Sequence, residues 1–457
     1  MSLPQRVLVI SDLHLGLGDK MCIFSAGAAL ARFVEWCAAL PGRVELVILG
    51  DGLDYLQIDP ALAFDADIAV AKTQWIIEKN AEVFATLAAF HGTPGKSLVW
   101  SVGNHDIELL FPAVRATIEQ HLGGGITWRL DERPRDYELP GGAVVRLIHG
   151  NGPDPFNWVD YANAQAVADG AGDLAKVYPH GSHMVEKIFN PLKAAGYRYV
   201  DMLKPEERVA LPLTLALWPK EAKSLLKDGS PAFRAGMRES IVRKLSALFG
   251  RKADVFGPEG VARSEVLSGD ELALADVVRG ALAGGVSDDE LLDWLDDPQG
   301  LAEVPVAGEA VFGAGRKVAA ALLREVARIN ATADPFDPFG PDDLADKSVH
   351  LHEEKIVLLV AGHTHLARVH EREGGWYINS GTWADLMRLP PNLSSTMLEQ
   401  DLVHALEHLR TPDTAPAWLR PFRRLTFVDI AFPGGDQWAA KLCQWPDTDA
   451  VTIATLP

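Results

Sequence analysis

Five short apolar runs in this chain each stop at a polar cluster, and that recurrence constrains the fold more than any bulk property. Val7-Leu8-Val9-Ile10 leads into Ser11-Asp12-Leu13-His14, and Leu46-Val47-Ile48-Leu49 into Gly50-Asp51-Gly52-Leu53-Asp54. Leu98-Val99-Trp100-Ser101-Val102 leads into Gly103-Asn104-His105-Asp106, Val144–Ile148 into His149-Gly150, and Ile356–Ala361 into Gly362-His363-Thr364-His365. Short, almost continuously apolar runs read as buried strands. Strands are expected at Arg6–Ile10, Val44–Leu49, Ser97–Val102 and Ala143–Ile148. Between them Ala26–Leu40, Ile68–Phe90 and Ile107–His121 carry apolar residues at helical spacing, with Pro41-Gly42 and Gly123-Gly124-Gly125 as stops. Strand–helix alternation predicts an α/β domain, and in open α/β sheets ligands bind outside the carboxyl ends of the strands. All five clusters are expected at one edge of one sheet. Asp12 and His14, and likewise His363 and His365, are two apart and would point the same way from an extended chain. Gly50, Gly103, Gly150 and Gly362 permit sharp turns and close backbone approach.

From about 151 to 350 strand signals nearly vanish. Helical stretches are expected at Pro205–Leu217, Ser230–Phe249, Asp270–Leu282 and Gly315–Asn330. Strand texture returns at Ile356–Val360, Trp376–Ile378 and Leu425–Phe432. The simplest organisation is one α/β core in two parts, 1–150 and 356–457, interrupted by a mainly helical insertion over 151–355. Both ends of that insertion adjoin site motifs, so a cap over the site is expected, with self-association into a homo-oligomer as its other use. The 457 residues are 48% hydrophobic and 23% charged, which excludes a mostly disordered chain. No apolar run approaches the roughly 20 residues that span a bilayer. The start, Met1-Ser2-Leu3-Pro4-Gln5-Arg6, lacks signal-peptide features. Cys22, Cys37 and Cys443 form no Cys-x-x-Cys pair, so a cytoplasmic location is expected. A net charge of −19 argues against nucleic acid and anionic lipid surfaces as partners. The acidic stretch Ser287–Asp297 reads as a solvated helix face.

Imidazole nitrogens mixed with carboxylate and amide oxygens suit intermediate divalent metals such as Mn²⁺, Fe²⁺ and Zn²⁺. Seven candidate donors are too many for one tetrahedral ion. Two ions about 3.5–4 Å apart with a carboxylate between them account for the surplus.

Asp-x-His, Gly-Asp-x-x-Asp, Gly-Asn-His-Asp, His-Gly and Gly-His-x-His, in that order, resemble the motifs of the calcineurin-like metallophosphoesterase superfamily. The resemblance covers roughly residues 6–150 and 356–388. It implies a four-layer α/β/β/α sandwich and a two-metal hydrolase of phosphate esters with a metal-bridging hydroxide as nucleophile. It also implies that Asp12, His14, Asp51 and His365 hold a first ion, and that Asp51 bridges to a second completed by Asn104, His149 and His363. His105 would assist the leaving group and Asp54 would orient His105. The ions implied are divalent, manganese first, with iron, zinc, nickel or cobalt as substitutes. Asp106 is expected as a turn or supporting residue behind the ligands, and His180 and His183 as structural or solvent-facing; Asn379-Ser380-Gly381-Thr382-Trp383, followed by Arg388, resembles the segment that in relatives follows the last metal motif, without making Arg388 an expected phosphate contact. The Asp-Leu-His-Leu-Gly opening and the Asn-His-Asp motif look more like bacterial phosphodiesterases and pyrophosphatases than eukaryotic Ser/Thr phosphatases. His105 departs from the UDP-2,3-diacylglucosamine pyrophosphatase branch. The expected substrate is a small soluble or nucleotide-like phosphodiester, with monoesterase or nuclease activity as alternatives. An interaction scaffold on the same fold is the alternative of another class.

Overall fold

The computed structural model of the chain describes residues 3–194, 196, 201–204, 334, 336–340, 342, 344–345, 355–372, 374–387, 420–446 and 448–456. The four helices expected between 205 and 330, the cap they would form, the acidic stretch at 287–297 and Arg388 lie outside these residues. The chain divides into two compact units. One comprises Met1–Ala195, Asp334–Leu386 and Pro421–Pro457, and the other Gly196–Ala333 and Met387–Arg420. Of the second unit little is described beyond a bridge between Leu203 and Met387.

The first unit is built on two mixed sheets. Its strands in chain order are β1 (Arg6–Ile10), β2 (Val44–Leu49), β3 (Lys96–Ser101), β4 (Thr127–Arg129), β5 (Arg135–Glu138), β6 (Val144–Leu147), β7 (Ile356–Ala361), β8 (Arg368–Arg372), β9 (Gly375–Asn379), β10 (Thr426–Gly434), β11 (Gln437–Gln444) and β12 (Val451–Leu456). One seven-stranded sheet runs β12-β11-β10-β1-β2-β3-β4, and a five-stranded sheet runs β5-β6-β7-β9-β8. β1 to β4 are mutually parallel, as are β6, β7 and β9.

The period-two alternation of a strand explains why these runs are apolar throughout. Leu8, Ile10, Leu46, Ile48, Leu98 and Trp100 pack on one side against helices α1 (Gly27–Ala39), α3 (Ala81–His91) and α4 (Pro112–Leu122). The intervening Val7, Val9, Val47, Leu49 and Val99 meet Val145, Leu147, Leu358, Val360 and Ile378 of the second sheet. That sheet's outer face, with Ile356, Leu359 and Tyr377, is covered by Leu344 and Ala345. The architecture is therefore the expected layered α/β/β/α sandwich. Among the described residues no helix is long and apolar enough to cross a membrane.

Three helix boundaries differ from expectation for identifiable reasons. The stretch expected as one helix over Ile68–Phe90 is α2 (Ala66–Lys79) followed by α3, broken at Asn80. The Asn80 amide donates to both Ile76 O and Gly16 O, 2.8 Å each, which ties the break to the loop after His14. Helix α2 starts early because the Asp65 carboxylate accepts from the N–H groups of Asp67 and Ile68. The stretch Ile107–His121 is a 3₁₀ turn over Ile107–Leu110 and then α4, because Pro112 holds Phe111 extended.

Candidate metal centre

The five motif-bearing loops do not share one sheet. Asp12 and His14, Asp51 and Asp54, and Asn104 and His105 follow β1, β2 and β3 of the seven-stranded sheet. His149, and His363 with His365, follow β6 and β7 of the five-stranded sheet. This corrects the single-edge expectation: the site straddles the carboxyl ends of two facing sheets. Side chains and backbone stitch across the seam. His149 Nδ1–H donates to Leu49 O at 2.8 Å, and the His363 N–H donates to the Asp12 carboxylate at 2.9 Å. The Thr382 hydroxyl donates to Asp12 O at 2.7 Å.

Nor are the ligand pairs extended. Asp12, His14, Asp51, His363 and His365 have φ of 52°, 50°, 49°, 71° and 62°. Among the described residues these are all the non-glycine residues with positive φ. Each such residue costs on the order of 1–3 kcal/mol and persists only where its surroundings over-determine it. Strain gathered on five of the seven proposed ligands, and on no other described side chain, marks the site independently of any motif. Two glycines serve it by close approach. A Cβ on Gly103 would overlap the Asp51 carboxylate and N–H, and one on Gly50 would overlap the His149 ring.

Three triads of potential ligands result, each with donor atoms within 4.8 Å of one another: Asp12–His14–His365, Asp51–His149–His363 and His14–Asp54–His105. His14 Nε2 lies 2.9 Å from His365 Nε2, and His365 Nε2 lies 3.5 Å from Asp12 Oδ1. Asp51 Oδ2 is 3.3 Å from His149 Nε2 and 3.9 Å from His14 Nε2, so this one oxygen stands between the first two triads. Asn104 Oδ1 joins the second at 3.3 Å from His149 Nε2. The other Asp51 oxygen accepts the His105 N–H at 2.8 Å. Asp54 is fully buried and takes both partners: Oδ2 accepts from His14 Nδ1 at 3.1 Å and Oδ1 from His105 Nδ1 at 3.3 Å. The family resemblance pairs Asp54 with His105 alone.

A histidine whose one ring nitrogen donates to a fixed acceptor presents the lone pair of the other. His14 and His149 donate through Nδ1 and so turn Nε2 toward Asp51. The electrostatics ask for a cation. Burial pushes the Asp12 carboxyl up, and the neighbouring Asp51 charge adds to it against the pull of His149. Burial also opposes ionisation of Asp51, yet His149, His105 and His14 hold it well below the usual range. Burial would lower His149, but the Asp51 and then the Asp12 carboxylates outweigh it and push it up to about 9. A proton on His149 or a bound divalent ion satisfies the same excess of buried carboxylate. The oxygen–nitrogen donor set fits divalent ions of the intermediate class.

Asp106 behaves as expected. Fully buried, it accepts from Gly52 N and Gly103 N at 2.8 and 2.6 Å and so staples the β2 and β3 loops together. After α5 (Tyr161–Ala168), His180 and His183 are half-buried on α6 (His180–Met184), and burial lowers the pKa of both. Helix α6 continues through a π turn (Val185–Phe189) into α7 (Asn190–Ala194), and this segment packs on the site loops. Tyr178 donates to Glu108, Gly181 N to Phe156 O, and Asn190 to Leu56 O, at 2.8, 2.9 and 2.7 Å.

One site residue escaped the sequence reading. Asp154 Oδ2 lies 3.1 Å from His363 Nε2, and this bond, with those from Asn157 and Phe156, holds its carboxyl well below the usual range despite burial. Asp154-Pro155-Phe156-Asn157 reads as a turn, and nothing local says that it faces a histidine 209 positions away.

No family model matches the chain, and no curated protein matches it. Solved structures similar to it include two hydrolases. One is a dimetal phosphatase from Danio rerio, 12% identical, with a TM-score of 0.32 over 99% of this chain and 99% of that one. The other is a phosphopantetheinyl hydrolase from Mycobacterium tuberculosis, 11% identical, with a TM-score of 0.23 over 92% of this chain and 97% of that one. Such scores fix neither family nor activity.

Proposed function

We propose that this protein is a two-metal hydrolase of phosphate esters, acting as a phosphodiesterase on a small soluble or nucleotide-like substrate. The observation that carries the reading is Asp51 Oδ2 standing between two His/Asp triads, 3.3 Å from His149 and 3.9 Å from His14. Asp12, His14, Asp51 and His365 would hold one ion, and Asp51, Asn104, His149 and His363 the other. When bound, the ions supply charge neutralisation on the phosphate oxygens and an activated water. The chain's own residues do the rest. Asp51 keeps the two ligand sets at a fixed spacing, with one oxygen anchored by the His105 N–H. His105 is the more open partner of Asp54, its side chain 19% exposed against none for Asp54. With Nδ1–H held by Asp54, it can pass a proton from Nε2 to the leaving oxygen as the phosphorus–oxygen ester bond breaks, and regain it from solvent. Manganese is the ion we favour from the mixed imidazole–carboxylate donors. The net charge of −19 favours a small substrate over a polyanion. The three buried free thiols suit a reducing, cytoplasmic compartment.

The test is a screen of metal-stripped protein on bis-p-nitrophenyl phosphate, p-nitrophenyl phosphate, cyclic nucleotides and nucleotide sugars, with Mn²⁺, Ni²⁺ or Zn²⁺ added back. Metal-dependent cleavage of diesters ahead of monoesters is expected. Faster monoester cleavage would make it a phosphatase. Two bound ions with no hydrolysis of any substrate would favour an interaction scaffold.

A further inference from the structure

His363 differs from His14 and His149 in which nitrogen is held and by what. His149 donates through Nδ1 to a backbone carbonyl, and His14 through Nδ1 to the buried Asp54. His363 is instead engaged at Nε2, by the Asp154 carboxylate at 3.1 Å. That carboxylate is itself held by its own turn. Its Oδ1 accepts the Phe156 N–H at 2.9 Å, its Oδ2 accepts from the Asn157 amide at 2.7 Å, and Asn157 N closes the turn onto Asp154 O at 3.0 Å. His363 is fixed at its other end too, with its N–H on Asp12 and its φ at 71°. Both ends of the residue are therefore held while Nδ1 is left for a ligand.

We propose that Asp154 is a positioning residue for the second metal ion: it accepts the Nε2–H of His363, fixes that tautomer and turns Nδ1 to the ion beside Asp51, Asn104 and His149. A carboxylate acceptor also makes the imidazole a stronger donor than a carbonyl acceptor does. Asp154 lies five residues after His149 on the same loop, so one short segment supplies one ligand and orients another. That loop is tied to α6 by Gly181 N–H donating to Phe156 O at 2.9 Å, so the helical segment braces the turn that carries Asp154.

This rests on the two-metal reading, and the experiment separates the two. Metal-stripped full-length protein is titrated with Mn²⁺ by calorimetry and with Co²⁺ by its visible absorption, as wild type, Asp154→Asn and Asn157→Ala. Wild type should bind two ions. Asp154→Asn keeps an acceptor for the Phe156 N–H, and should weaken one of the two ions about 10–100-fold, the usual effect of losing such a partner, with the other changed by less than about 3-fold. The Co²⁺ spectrum of the weakened site should shift. Asn157→Ala removes one contact that holds Asp154 Oδ2 but leaves the acceptor itself, and should weaken the same ion by less than Asp154→Asn does. Should Asp154→Asn fail to fold, Asp154→Ser, which keeps a short acceptor for the turn, replaces it with the same expectation. Equal weakening of both ions, or wild-type affinity for both, would overturn the positioning role. Fewer than two ions in wild type would overturn the two-metal reading itself.

Discussion

Asp54→Asn is the substitution that most sharply separates this structure from the motif-level reading. The carboxylate is buried with no exposure and serves two imidazoles, His14 Nδ1 at 3.1 Å and His105 Nδ1 at 3.3 Å. An asparagine oxygen can accept from one of them only. Its NH₂ then faces the other ring, which must present a lone pair at Nδ1 and carry its proton on Nε2. On His14 that proton blocks the nitrogen directed at Asp51 and His365; on His105 it leaves the Nε2 donor but removes the carboxylate that orients the ring and stabilises its protonated form. Losing the partner of a ligand histidine costs about 10–100-fold in metal affinity, or roughly 1.4–2.7 kcal/mol. Losing the alignment of a general acid costs up to about 10²–10⁴-fold in turnover. Asp54→Asn should therefore lower both metal affinity and turnover at saturating metal. In a His105→Asn background the turnover effect should vanish while the metal effect persists. Calorimetric metal titration and diester turnover on the two single variants and the double variant measure this. Wild-type metal affinity in Asp54→Asn would refute the reasoning and return Asp54 to His105 alone.

His105→Asn by itself should keep both metals and lose about 10²–10⁴-fold in turnover; loss of metal, read by elemental analysis, would make His105 a ligand. Gly103→Ala sets a methyl group against the Asp51 carboxylate, and should strip both ions while the circular dichroism stays native; normal metal content would show that the loop can yield. Glu108 is buried beside Tyr178, and burial pushes its carboxyl from 4.5 up to about 7. The folded state then holds that proton more tightly than the unfolded one, so this group's contribution falls as pH rises from 4.5 to about 7, by up to about 3 kcal/mol. Glu108→Gln should remove that decline, seen by urea denaturation across the window; an unchanged slope would mean that another group carries it.

The interior of the fold was legible and its edges were not. β1 and β2 match the expected boundaries, because strands buried on both faces are almost continuously apolar, with Arg6 and Glu45 as their single polar residues. The strands that sequence patterning missed include all four sheet edges: β4, β5, β8 and β12. Arg135-Asp136-Tyr137-Glu138 shows why, since only Tyr137 of β5 is buried and charged residues guard the edge. That these candidate donors gather in one place was legible because each closely follows a buried run. What those runs could not reveal is that they belong to two sheets, since β6 and β7 look like β2 and β3 one at a time. Positive φ at Asp12, His14, Asp51, His363 and His365 was equally hidden, because tertiary bonds such as His363 N–H to Asp12 impose it against local preference. Asp154 and the second role of Asp54 are facts of long-range contact and leave no local trace.

The most direct test of the account is electron paramagnetic resonance of metal-stripped protein titrated with Mn²⁺. A shared Asp51 oxygen between the ligand sets predicts uptake of two equivalents per chain and a spin-coupled spectrum, lost on Asp51→Ala. A six-line signal of isolated Mn²⁺, saturating at one equivalent, would contradict it.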